Sequence, residues 1–570
     1  MQTTTPATPD TQRAEPRPGA YVALPYIFLL LMEGAYVLLA AVLPLYGLWF
    51  HTSLTTDLSS WFLLPAHVLF AHQPLTPTLF HRYHEPGPPA LLSWQDTGLL
   101  LIVFALLFVI YIFALRHIRQ LVTRRFLIIS LLLFGVTCSL SPIVTSTDVF
   151  SYITYARLDI LYHLNPLTAT PMAIRSDPVF VHLYWIDQPS AYGPVFAFVT
   201  CALQWLLGIF GRDNIAQMVV ALRLLGLGAH ICSTLLIWSI SGHLQRARGT
   251  SSQGLRTLAT FAFAWNPLLL LEACMNAHID TLVLLFVLLA FWSLVRGEAP
   301  SLRSLTWTAV FLALATCLKV NIVLLLPGFL LYLWAREHGF KLAALFFAIY
   351  AGIILALYAP FWQGGALLAV LHTNPGASRA INTLPEFLAH LYNSLARQGT
   401  DVDSPAEALA RTTSIIVFIA LYGLLCVRAL RGRHKLSTMP ALLHWMALAW
   451  LLYCALGSPW FWPWYTIIFF GLVALSVGSA SSEDGSETGL LPVSFRRLAP
   501  VVLLFSFMLL SLYCFYTWAP YATFLPGLPL FRWAFLRSLW VWLLPLPLLI
   551  KTVTSKLRTP AQPPGHKSYD

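Results

Sequence analysis

The sequence predicts an all-α fold, a polytopic transmembrane helix bundle of about 12–14 membrane helices with extracytoplasmic loops and short amphipathic helices. Three observations predict it. Hydrophobic residues make up 58% of the 570 and charged residues only 10%, against about 25% charged in soluble domains. The mean hydropathy is +0.72. Apolar stretches of about 17–25 residues recur along the chain, the length that crosses a bilayer as a helix. The alternating segments of about 10 residues that build a membrane β-barrel do not appear.

Each part of the chain follows in order. Residues 1–20 are rich in Thr, Pro and Ala, lack the basic-then-apolar build of a cleaved signal peptide and read as a disordered cytoplasmic tail. Residues 21–478 form the main transmembrane module. Its apolar segments lie near 24–50, 97–115, 126–144, 192–210, 217–241, 257–275 and 279–296. They continue near 305–334, 341–361, 413–430, 441–457 and 460–479. A polar linker, 479–497, contains "SASSEDGSETG" (479–489). C-terminal transmembrane helices occupy 498–551, near 498–518 and 531–551, and residues 552–570 are a polar tail.

The net charge of +11 would suggest nucleic acid in a soluble protein. Here the basic residues sit in short loops between apolar segments, where they act as orientation signals; no nucleic-acid partner is expected. The eight cysteines, 138, 201, 232, 274, 317, 426, 454 and 514, all lie in apolar runs without a CxxC pair. That is the pattern of small packing residues, not of a disulfide or zinc framework.

The basic loops "RHIRQLVTRR" (116–125) and "RALRGRHK" (428–435) are placed in the cytoplasm. Asp148 then faces the other side. Strict alternation fails beyond this point, because it puts the basic loops 242–256 and 295–303 outside. Two adjustments repair it: 192–210 dips into the membrane without crossing, and 305–334 is two short helices broken near Lys319. An unbroken helix of about 30 residues would reach about 45 Å, against a hydrocarbon core of about 30 Å, and a lysine at its centre would be expensive. After these repairs Asp148, His278, Asp280, Lys319, the 362–412 loop and Trp460 to Tyr465 all fall on one face, the extracytoplasmic one.

Those are the residues that carry chemistry. Asp148, in "STDVFSYITY" with Tyr152 and Tyr155, precedes a short helix over 149–163. It fits a helix-start charge and equally a general base, which must be anionic and near the hydroxyl it deprotonates. In "WNPLLLLEACMNAHIDTL" (265–282), Asn276, His278 and Asp280 interrupt the apolar run and Glu272 lies one turn deeper. The group fits a solvated hairpin tip; an ionisable residue inside an apolar segment equally marks a functional site. His278 could donate to a phosphate oxygen, and Asp280 could hold the histidine or a divalent cation. Lys319 either snorkels to the headgroups or neutralises a lipid phosphate. "SPWFWPWYTIIFF" (458–470) sets Trp460, Trp462, Trp464 and Tyr465 close together. It reads as an interfacial belt or as an aromatic wall against a sugar or an isoprenoid tail. Arg379 in the long 362–412 loop is either a solvated arginine or a phosphate clamp. The early loop carries His51, His67, His72, His81 and His84 with Glu85, but no distant ligand pair completes a zinc site.

In their order, "STDVFSY", "YGPVF" (192–196), "WNPLLLLEACMNAHIDTL", "LKVNIVLLLP" and "PWYTIIFF" resemble bacterial GT-C superfamily glycosyltransferases that use polyprenyl-phosphate sugars. The likeness, over roughly 125–470, is in particular to the polyprenol-phosphate-mannose-dependent α-mannosyltransferases. Members often read HND where this chain reads HID (278–280), and lysine-proline where Lys319 precedes Val320. The resemblance implies a multi-helix GT-C fold in the cell membrane, an extracytoplasmic site and an acidic residue in the first large catalytic loop, which maps onto Asp148.

The expected function is therefore an inverting hexosyl transfer, mannosyl by resemblance, from a polyprenyl-phosphate donor to a glycan or glycolipid hydroxyl. Asp148 acts as base; His278, Lys319 and Arg379 hold the donor phosphate. Tyr152, Tyr155, Tyr192, Glu272, Asn276, Asp280, Trp462, Trp464 and Tyr465 line the substrates. A lipid-phosphate donor explains the absence of a nucleotide-binding Gly-rich loop. The scheme requires no cofactor and admits a divalent cation at Asp148 and Asp280. A lipid flippase or small-molecule transporter is the rival class; it predicts paired broken helices in related halves with charges near mid-membrane.

Overall fold

The computed structural model describes residues 18–42, 94–141, 145–211, 214–249, 253–297, 301–336, 338–369, 379–396, 404–431, 436–480, 495–515, 533–545, 547–548 and 550–551. Most of the N-terminal tail and of the polar linker, the whole C-terminal tail and the histidines of the early loop lie outside the described residues.

The described chain is helical; its β contacts are two isolated bridges, Gln363 with Gly365 and Ile381 with Trp460. Among the described residues, six helices are long and apolar enough to cross a membrane, or seven if the bent pair Gln253–Ala264 and Pro267–Met275 counts as one span. Six shorter apolar helices accompany them: Pro194–Ile209, Asp280–Val295, Leu302–Leu318, Val320–Trp334, Pro463–Gly478 and Leu498–Tyr513. The apolar segments expected from the sequence thus appear as helices of spanning length together with a set of short and broken ones. Among the short ones is 194–209, the segment that the charge pattern required to dip.

The helices that position the site are labelled here in chain order: α1 (Arg124–Ser139), α2 (Asp148–Ile160), α3 (Pro194–Ile209), α4 (Ile215–Ala247), α5 (Gln253–Ala264), α6 (Asp280–Val295), α7 (Leu302–Leu318), α8 (Leu326–Trp334), α9 (Leu384–Leu395), α10 (Met439–Leu452), α11 (Ile467–Gly478), α12 (Phe495–Tyr513) and α13 (Trp533–Trp542). Helix α6 packs between α4 and α7, and α11 packs on α5, α4 and α10. α6 and α11 are buried along most of their length, as apolar on all sides as a central helix must be.

Apolar contact cannot drive one helix onto another inside lipid, so close approach and internal hydrogen bonds hold them. Gly226 on α4 supplies one such approach: a Cβ there would lie 2.0 Å from the Ala273 carbonyl oxygen. Arg223, one turn earlier and fully buried, supplies the hydrogen bonds. Its Nε donates to Met275 O at 2.7 Å. Its Nη1 donates to Ser139 O at 2.9 Å and Ser141 O at 2.6 Å. One guanidinium thereby ties the end of α1, which leads to Asp148, to the turn that leads to His278.

The long apolar run at 302–334 is broken as its length required. α7 ends at Leu318, Lys319 is extended at φ −145°, ψ 114°, a 3-10 turn spans Val320–Leu325, and α8 follows.

Candidate active site

The polar core grows out of a wound-down turn. Asn266 caps the short helix Pro267–Leu270 through Leu268 N, and the chain continues as a π-helical turn, Leu271–Met275. Such turns are rare and concentrate at functional sites. The π-turn carries Glu272, and Ala277 (φ 58°) turns the backbone into the left-handed region so that His278 swings back over it, its N–H on Glu272 O at 2.8 Å. Asp280 then opens α6 in the first turn, where the helix dipole favours an anion.

Glu272 is fully enclosed. Tyr513 Oη on α12 donates to its Oε1 at 2.7 Å, and Asn276 Nδ2 donates to its Oε2 at 3.0 Å. His278 is enclosed as well: its ring stacks on Trp464 at 3.9 Å and 15°. Its Nε2 lies 3.4 Å from Glu272 Oε2, and its Nδ1 lies 3.4 Å from Tyr152 Oη. Burial, reinforced by the Lys319 charge, holds this imidazole well below its usual pKa, so it is neutral. Among the described residues Nε2 has no hydrogen-bond partner, and the ring's side-chain hydrogen bond is the one between Nδ1 and Tyr152. Tyr152 in turn shares a hydrogen bond with Tyr192 at 3.2 Å.

Lys319, at the helix break, points its ammonium at Asp280, 2.8 Å from Oδ1 and 3.0 Å from Oδ2, and sits 4.0 Å over the Tyr465 ring. Its side chain keeps 11% of its surface exposed, while Asp280 keeps 1%. The ammonium has three donors, so the pairing with Asp280 leaves it capacity for a further anion. The 190–193 loop seals this corner: Gly193 N donates to Leu318 O at 3.2 Å, and a Cβ on Gly193 would stand 2.3 Å from the Cys317 carbonyl oxygen. The glycine of "YGP" is thus required by close approach.

Asp148 opens α2, half-buried, its backbone N–H on Ser146 Oγ at 3.2 Å. Burial raises its pKa to about 6, with Lys319 opposing the rise and Asp280 adding to it. Asp148 therefore shares one electrostatic neighbourhood with the Lys319–Asp280 pair.

The aromatic segment forms one wall. Trp464 stacks with Trp462 at 5.0 Å, Trp462 meets Trp460 at 6.0 Å, and Trp460 meets Trp185 edge-on at 5.3 Å. These rings step from enclosed His278 toward exposed Tyr184, which touches Trp185 at 4.4 Å. Arg379 is exposed and donates to Tyr184 Oη at 3.4 Å.

The structure thus brings together Asp148, Tyr152, Tyr192, Glu272, Asn276, His278, Asp280, Lys319, Trp462, Trp464 and Tyr465. Tyr155 stands beside them, donating to Gln188 O at 3.1 Å. Arg379 stands at the outer end of the aromatic stair instead. Sequence reasoning passed over Arg223 and Tyr513. Arg223 did carry a signal, an arginine inside an apolar run; Tyr513 carried none, because its partner is 241 positions away.

Fold and site together define a class: a polytopic helical membrane protein with charged groups from distant segments gathered at helix breaks. Residues 66–336 match the family described as Alpha-(1->6)-mannopyranosyltransferase, N-terminal domain. The glycosyltransferase class and the resemblance to α-mannosyltransferases expected from the motifs are those of this family. A protein of Mycolicibacterium smegmatis, "Probable alpha-(1->6)-mannopyranosyltransferase", is 28% identical over 189 residues. The alignment covers 31% of this chain and 31% of that relative, so the chain matches less than a third of the relative's length. No solved structure matches the chain.

Proposed function

We propose that this protein is a membrane glycosyltransferase that moves mannose from a polyprenyl-phosphate donor to a hydroxyl of an extracytoplasmic glycan or glycolipid, with inversion. One observation carries the reading: a carboxylate near neutrality, Asp148, shares its surroundings with a cation, Lys319, at the break between α7 and α8. The donor's apolar tail lies in the bilayer, and its phosphate reaches the ammonium of Lys319. Asp148 accepts the proton of the acceptor hydroxyl. The freed oxygen attacks the anomeric carbon from the face opposite the phosphate. The anomeric C–O bond breaks, and its electron pair leaves on the polyprenyl phosphate. Lys319 stabilises the charge that grows on this leaving group.

Tyr152 and Tyr192 orient the acceptor side, and neutral His278, held by Glu272 and Trp464, fixes Tyr152. Arg379, on the exposed stair, steers the anionic donor or acceptor rather than clamping the phosphate. No step is routed through a metal ion: both Asp280 oxygens face the Lys319 ammonium, which takes the place a divalent ion there would need.

The test uses membranes containing the full chain, radiolabelled polyprenyl-phosphate mannose, glucose or arabinose, and extraction of labelled product. Mannose incorporation that disappears in Asp148→Asn supports the reading. Equal activity in that variant removes the base assignment, and incorporation of none of the three sugars removes the donor class.

A further inference from the structure

The aromatic wall of the site, Trp460 to Tyr465, lies outside the segment that matches the family, and its position is set from the far end of the chain. Phe461 is fully buried; its N–H donates to Ile381 O at 3.2 Å, and Ile381 N donates to Pro459 O at 2.8 Å. Asn382 follows, in the left-handed region at φ 57°, and its Nδ2 donates to Phe461 O at 2.9 Å. A short backbone pairing, reinforced by one side chain, therefore holds the segment whose next residues stack on His278 and underlie Lys319.

That pairing is locked by Glu386 on α9. Its Oε2 accepts from Asn382 N at 2.6 Å and from Ser538 Oγ at 3.1 Å, and its Oε1 pairs with Arg537. Trp542 Nε1 donates to Asn382 O at 2.9 Å, and its ring lies 4.9 Å from Phe461. α9 is built for this role. Glu386, Ala389 and Asn393 face inward, while Leu388, Tyr392 and Leu395 are exposed. The helix turns its carboxylate in and its apolar side out, the reverse of a helix on a soluble core.

We propose that Arg537, Glu386 and Asn382 form a clamp by which the C-terminal helix α13 positions the aromatic wall of the site. They are positioning residues, acting on Trp464 and Tyr465 through Phe461, and the proposal rests on the reading of this site as a lipid-donor transferase. A clamp of this kind controls how well the donor is received, so loosening it raises the donor KM more than it lowers kcat.

The test compares full-length wild type, Arg537→Gln, Arg537→Lys and Asn382→Gly in nanodiscs. Hydrogen exchange of peptides covering 379–383 and 457–466 is read beside transfer kinetics. Arg537→Gln is expected to speed exchange in both peptides while α6 stays protected, and to raise the donor KM at least fivefold; Arg537→Lys restores most of both. Asn382→Gly tolerates the left-handed backbone and removes the amide to Phe461 O, so exchange at 457–466, away from the glycine's own added freedom, tests the same link if Arg537→Gln does not fold. Unchanged exchange at 457–466 in Arg537→Gln and in Asn382→Gly overturns the clamp. Exchange is read without turnover, so a wild type that transfers no mannose would sink the functional reading and leave the clamp to be judged by exchange alone.

Discussion

Asp148 carries the sharpest consequences at the scale of a single residue. A base must be ionised, so the transfer rate is expected to rise with pH through about 6, the value to which burial lifts this carboxyl, and to level off above it. A pH–kcat profile checks this, and an acid limb near 4 would leave Asp148 without the role. Asp148→Asn should lower kcat by about 10²–10⁴-fold, the usual contribution of a positioned base. The same variant should be more stable than wild type at pH 7.5. The folded pKa lies above the ordinary carboxylate value of 3.8, so the folded state binds the proton more tightly than the unfolded chain. That advantage is present at low pH and lost as pH rises through about 6, which leaves the ionised protein less stable by about 3 kcal/mol. Asparagine removes the penalty, so the melting-temperature gain should be largest above pH 6 and vanish toward pH 4.

Breaks and turns, rather than regular helix, carry the chemistry at the scale of elements. The π-turn Leu271–Met275 winds Glu272 beneath His278, and the extended Lys319 lets a cation leave a helix that could not have enclosed it. Both devices depend on close backbone approach. Gly193→Ala would push a Cβ against the Cys317 carbonyl, displacing the end of α7 by which Lys319 is aimed. Overpacking of this kind is expected to destabilise by about 1–3 kcal/mol and to lower transfer at least tenfold, as thermal melting and the labelled-donor assay will show. Trp464→Leu leaves His278 without its stacking partner. Its kcat should fall about tenfold, with the protein still eluting as a single folded species. The break at Lys319 was legible in the sequence because length and charge both demanded it. The π-turn was not, since nothing in "LLLLEACMN" separates five-residue from four-residue winding until Gly226 packs against Ala273.

On the scale of the whole molecule, the proposed function requires the loop after α2 and the start of α1 to lie on opposite sides of the membrane. Impermeant maleimide applied to intact cells should label Asp187→Cys, exposed in the loop after α2, and spare Arg125→Cys, exposed in the first turn of α1, in a chain with the eight native cysteines replaced. Labelling of both, or of 125 alone, would reverse the proposed sidedness and with it the extracytoplasmic acceptor. The rival transporter reading asked for charges near mid-membrane in paired broken helices. In the described residues the ionisable groups of the site cluster about α2, α6 and the α7–α8 break, and the maleimide labelling decides on which side of the membrane that cluster opens.

What the sequence by itself determined is the partition into a membrane, the rough length of the apolar segments and the need for a break at Lys319. Each follows from hydropathy and charge summed over a local window, and such sums need no knowledge of neighbours. Candidate residues were legible for the same reason: a His, Asp or Lys in an apolar run is conspicuous. Only the tertiary structure decided which of them meet. It enclosed both nitrogens of His278, gave Asp280 to Lys319 and left Arg379 on the surface. It also recruited Tyr513, which carried no signal, and supplied the partner of Arg537, an arginine whose place inside the apolar run 531–551 was visible but whose contact with Glu386 was not. A buried polar atom must find a partner wherever the fold supplies one, and those partners lie up to 241 positions away, beyond the reach of any local pattern.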